Sequence, residues 1–103
     1  MDLFEEFEQR LTVHPQKAQI LLALPDHQKA IERVLSILSS RKIAWEEYKV
    51  LNKVDPAIIL IFLSPQDLTE AVMRLSEAGI TKLKGLNQQK DIDENLWNGK
   101  VRS

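Results

Sequence analysis

Apolar positions along the chain switch between a helical and an extended spacing, and the switches mark the elements. Phe4, Phe7 and Leu11 fall at i, i+3 and i+7 with Leu3 beside them, while Glu5, Glu6, Glu8, Gln9 and Arg10 cover the other face. Asp2 and Glu5 form a capping-box pattern ahead of this short helix, and Pro15 prevents its continuation. Ala18 to Leu24 is an apolar run broken only by Gln19, which predicts a strand buried on both faces. Pro25 stops it, and Asp26 is placed to cap a second helix whose stripe is Ile31, Val34, Leu35 and Leu38. Ser39 to Lys42 ends that helix. Ile43 to Leu51 reads as a second strand with irregular alternation, which predicts a bulge near Glu46 and Glu47. After a turn from Asn52 to Pro56, Ala57 to Leu63 is a continuous apolar strand. Ser64, Pro65 and Asp67 read as N-cap, N1 and N3 of a third helix with Leu68, Ala71, Val72 and Leu75 on its face and Gly79 at C′. Thr81 to Leu86 is a short last strand, and the chain from Gln88 is polar apart from Ile92, Leu96 and Trp97.

After the first helix the order is β-α-β-β-α-β. Its halves repeat at an offset of 37, with Leu22 and Leu24 matching Ile59 and Ile61, and Ile43 matching Ile80. The same offset superimposes Ile31, Val34, Leu35 and Leu38 on Leu68, Ala71, Val72 and Leu75. Two such halves predict a ferredoxin-like α+β sandwich, a four-stranded antiparallel sheet with two helices on one face. The chain then divides into an N-terminal amphipathic helix (1–14), the sandwich (18–87) and a polar tail with Trp97 (88–103).

The repeat also assigns faces. Residues 20, 22, 24, 59, 61 and 63 should meet the two helices. Leu21, Ala23, Ile58, Leu60 and Phe62 should then lie on the opposite, open face. That set is apolar and near the patch size a monomer tolerates, so something should cover it. The candidates are the first helix through Phe4, Phe7 and Leu11, the tail through Trp97, and a second subunit. The expected edge strands carry charge, Glu46, Glu47 and Lys49 on one and Lys82 and Lys84 on the other, a pattern that protects edges.

Composition narrows the chemistry. The 103 residues hold 14 Lys plus Arg against 15 Asp plus Glu, which gives no general pull toward nucleic acid. Cysteine is absent, which excludes thiolate metal sites and a cysteine nucleophile. No apolar run is long enough to cross a bilayer, and the acidic N-terminus is unlike a signal peptide, so membrane insertion is not expected and a cytoplasmic location is. His14 and His27 have no metal-ligand spacing, the serines lack nucleophile-elbow glycines, and no glycine loop cradles phosphate. RNA-recognition domains share the β-α-β-β-α-β order but stack bases on central-strand aromatics, and here only Phe62 is available. No catalytic residue, metal or cofactor is expected.

The run from Leu24-Pro25-Asp26 through Val34-Leu35 and Leu38 to Ile43, with Ala71-Val72, Leu75 and Ala78-Gly79-Ile80, resembles the ACT-like group of small-ligand regulatory domains and their methionine-transporter relatives. The resemblance covers residues 18–87. It implies a non-enzymatic module that forms a homodimer and senses a small-molecule effector. The ligand loop would be Pro25, Asp26, His27, Gln28 and Lys29, since helix N-terminal amides point there. The family commonly has a glycine in that loop, where this chain has Asp26-His27. Two other readings stay open at this point. One is an interaction subunit that docks on a protein partner without a ligand. The other is a small dimeric ferredoxin-like enzyme using the open sheet face.

Overall fold

The computed structural model describes residues 2–25, 27–53 and 55–87, with the side chains of His27 and Gln28 outside that description. The elements are α1 (Leu3–Arg10), β1 (Ala18–Leu24), α2 (His27–Ser40), β2 (Trp45–Asn52), β3 (Ala57–Leu63), a 3₁₀ turn (Pro65–Asp67), α3 (Leu68–Glu77) and β4 (Leu83–Leu86). The sheet order is β2-β3-β1-β4 and every pairing is antiparallel. The two apolar strands are central and the charged ones are edges, as the ferredoxin-like pattern requires.

The register fixes the faces. Ile20 pairs with Ile61, Leu22 with Ile59 and Ala18 with Leu63, and these pack with Ile31, Val34, Leu38, Leu68, Ala71 and Leu75. Leu21 pairs with Leu60 and Ala23 with Ile58 on the other face. There Leu21, Ile58, Leu60 and Phe62 are buried with Phe4, and Leu3, Phe7, Leu11, Ala23 and Leu51 pack against them. The sheet is therefore covered on both sides, by α2 and α3 on one and by α1 on the other. Burying a large apolar side chain contributes about 1.5–3 kcal/mol, so Phe4 and its neighbours account for α1's attachment. The capping box forms as read: Asp2 accepts from the Glu5 amide at 2.9 Å and Glu5 reaches back to the Asp2 amide. Trp97 and the tail, expected as another cover for this face, lie outside the described residues.

Three boundaries differ from the sequence reading. Ile43 does not open β2. Its amide donates to the Leu38 carbonyl at 2.9 Å and its side chain enters the helix-side core, so it closes α2 and the strand starts at Trp45. The third helix begins as a 3₁₀ turn in which the Asp67 amide bonds the Ser64 carbonyl, and the Ser64 hydroxyl makes no cap bond. Pro65 has no amide to offer at that turn. β4 begins at Leu83, not Thr81. The predicted bulge is present, since partners shift between Trp45 and Glu47, and a second irregularity falls between Val50 and Asn52.

Candidate functional site

β1 delivers Leu24 and Pro25 to the end of the sheet, and α2 starts two residues later. A cleft of about 260 Å³ opens there, lined by Leu24, Pro25, Lys29, Ala30, Arg33, Gly79 and Ile80. Lys29 and Arg33 stand one helical turn apart on α2 and share its face. Arg33 donates through Nη2 to the Ala78 carbonyl at 2.6 Å. That carbonyl belongs to the residue capping α3, where a cation is favoured. Gly79 has φ +97°, a conformation that side chains resist, and it turns the chain beside the cleft into Ile80. Two cations against an apolar wall can hold a carboxylate and a small side chain. Among the described residues that line it, none carries a carboxylate, hydroxyl or imidazole.

Of the five loop residues singled out from the sequence, Pro25 and Lys29 line this cleft. Asp26 lies outside the described residues, and His27 and Gln28 are placed as backbone in the first turn of α2. Arg33, Gly79 and Ile80 were not anticipated as site residues. The i, i+4 spacing of Lys29 and Arg33 was a readable sign of the basic face. The approach of the α3–β4 turn to the β1–α2 loop was not, because it depends on the sheet placing β4 beside β1.

On the α1 side of Pro25 lies a second cleft of about 320 Å³, lined by Asp2, Leu3, Phe4, Ala23, Leu24, Pro25, Asp55, Pro56, Thr81 and Lys82. Lys82 hydrogen-bonds the Asp2 carboxylate across its mouth. That bond, together with the Glu5 amide, holds the Asp2 carboxyl below its ordinary value and raises the Lys82 ammonium above its own.

Among the described side chains, the histidine is held in a structural role. His14 Nδ1 accepts from the amides of Gln16 and Lys17, each at 3.0 Å, and its ring meets Phe62 edge-on at 6.0 Å. Phe62 is only 6% exposed, so it offers no face for a nucleic-acid base to stack on. Among the described residues no three His, Asp or Glu side chains converge as metal ligands, and no helix is long and apolar enough to cross a membrane.

No family model and no curated protein matches the chain. Solved structures do. The chain is similar to the regulatory subunit of aspartate kinase from Thermus thermophilus in its ligand-free form, with 20% identity and a TM-score of 0.58. That match covers 73% of this chain and 52% of the other. It is also similar to a structure of aspartokinase alpha and beta subunits, with 16% identity, a TM-score of 0.56, and 68% and 49% of the two chains covered. This chain has the fold of an ACT-like domain. It spans about half the length of the solved chains it resembles, and at these identities the likeness is one of fold.

Proposed function

We propose that the chain is a cytoplasmic, non-enzymatic regulatory module that senses a small carboxylate-bearing ligand, an amino acid in particular, and acts through self-association. The observation that carries this reading is the cleft at the end of β1, where Lys29 and Arg33 face an apolar wall of Leu24, Ala30 and Ile80. The fold shared with aspartate kinase subunits, one of them described as regulatory and as a ligand-free form, supports the same reading. Cations on α2 would take the carboxylate, and the small apolar wall would select the side chain.

A thermal-shift screen of the common amino acids tests it. A ligand that binds only the native state stabilises it by about 2.7 kcal/mol at a hundred times its Kd. At least one amino acid is expected to raise Tm, and Arg33→Leu is expected to abolish the rise. A screen in which nothing shifts Tm would overturn the sensing role and favour an interaction subunit that binds no ligand.

A further inference from the structure

Four segments meet at one end of the sheet, on the side that α1 covers. β1 ends there beside the start of β3, since Leu24 pairs with Ala57 and Ala23 with Ile58. The residues ahead of β4 arrive next to them, and the Lys82 carbonyl accepts from the Ala23 amide at 3.0 Å. The start of α1 closes the remaining side through Asp2, Leu3 and Phe4. The cleft of about 320 Å³ lies between these segments, at the small end of the range of about 300–1,000 Å³ that ligand pockets occupy. Its walls are apolar and its charges do not balance. Asp2 and Lys82 bond to each other and cancel. Asp55, on the turn into β3, is exposed and has no hydrogen bond or ion pair among the described residues. That turn is tied to the end of β2 by the Asn52 side-chain amide, which donates to the Pro56 carbonyl at 3.0 Å. Across Pro25, the other cleft carries Lys29 and Arg33 and, among its described residues, no acid. The two clefts that share Leu24 and Pro25 are therefore opposite in sign.

We propose that the cleft beneath α1 binds a small amine with an apolar body, its ammonium on Asp55 and its hydrocarbon against Phe4, Ala23, Leu24 and Pro56. An ammonium supplies the one charge that the lining lacks. A hydrogen bond between two ionised groups is about twice as strong as a neutral one. An anion would meet the Asp55 carboxylate and a lysine already engaged by Asp2. A neutral molecule of the same shape gains the apolar contact but leaves Asp55 without a counterion. Because Asp2, Leu3 and Phe4 form one wall, an occupant also ties α1 to the sheet. The site is distinct from the carboxylate cleft and does not depend on it.

Calorimetric titration of the full chain with isopentylamine tests the site, with isopentanol as the neutral control of the same shape. The amine is expected to bind and the alcohol to bind at least roughly tenfold more weakly. Asp55→Asn, at an exposed turn position, is expected to weaken the amine roughly tenfold or more. Ala23→Leu adds bulk to the wall with every charge intact and should weaken it as well, with circular dichroism confirming the fold of both variants. Arg33→Leu should leave amine binding unchanged, which separates this site from the carboxylate cleft. Hydrogen exchange at the α1 amides should slow when the amine is bound. Absence of amine binding, or binding that Asp55→Asn leaves unchanged, would overturn the site and leave the carboxylate cleft standing. Amine binding that does not slow exchange in α1 would place the ligand elsewhere and overturn it equally.

Discussion

Lys42 holds a backbone angle that its repeat partner leaves to glycine. Its φ is +59°, and Gly79, 37 positions later, has φ +97°. Both helices end with the same pair of bonds. Lys42 donates to Ser39 and Ile43 to Leu38, and Gly79 donates to Ser76 and Ile80 to Leu75. This is the Schellman motif with its apolar contact, made once with the preferred residue and once without it. A side chain in the left-handed region costs about 1–2 kcal/mol, partly offset because glycine is freer in the unfolded chain. Lys42→Gly is therefore expected to stabilise the fold by about 1 kcal/mol, and Gly79→Ala to destabilise it by about as much. Urea unfolding of both variants checks the pair, and a destabilised Lys42→Gly would contradict the assignment. The sequence marked Gly79 as a helix stop but hid Lys42, because a lysine carries no sign of its backbone angle. Gln19 was readable as the break in an apolar strand, but the partner that lets it be buried there was not. It is 5% exposed, and its Oε1 takes the His14 amide at 3.3 Å, a contact that depends on how the chain turns back at Pro15.

At the scale of elements, α1 was the most legible and its partner the least. Capping box, apolar stripe and proline stop could all be read from residues 2–15, because each is a local property. The open sheet face was legible as a surface the stripe could cover, but not the choice between α1, the tail and a second subunit, since that depends on the direction in which residues 11–17 return the chain. The structure lays α1 against Leu21, Leu60 and Phe62, and uses the lysines of the β4 edge to orient it. Lys82 pairs with Asp2, and Lys84 approaches Glu8 at 3.7 Å. Edge lysines read as protection thus also guide the helix that covers the open face.

The Asp2–Lys82 pair gives a pH dependence of definite sign. Lys82 first, and the Glu5 amide second, lower the Asp2 carboxyl in the folded chain. Its contribution is complete above the ordinary value of 3.8 and fades as pH falls through the depressed folded value. Asp2 raises Lys82 above 10.5, so that share persists up to 10.5 and is lost at more alkaline pH as the folded value is passed. Lys82→Met is expected to lower Tm at neutral pH, with the gap to wild type closing as the solution becomes strongly acidic. A gap unchanged down to the point where Asp2 is protonated would show that the pair does not hold α1. Exposure of both groups keeps the effect small.

For the whole molecule, a sheet buried on both faces explains how so short a chain supports its fold. Small domains bury a limited share of their surface, and one layer of helices would leave the central strands apolar toward water. The helix-side core is built by the repeat. The other core is built by a helix outside the repeat, through Phe4, Phe7 and Leu11. The two cores share β1 and β3 but no helix, so one can be opened while the other keeps its packing. Phe4→Asp combined with Phe7→Asp places two charges against Leu21, Ile58, Leu60 and Phe62. Burying an unpaired carboxylate is costly enough that α1 should leave the sheet instead. The freed face is a contiguous apolar patch of a few hundred Å², the size at which monomers begin to associate. The double variant is expected to keep its helix and strand signal by circular dichroism, bind a hydrophobic dye that wild type ignores, and grow in mass with concentration. A double variant that stays dispersed and dye-free would mean that α1 is not what keeps this face dry.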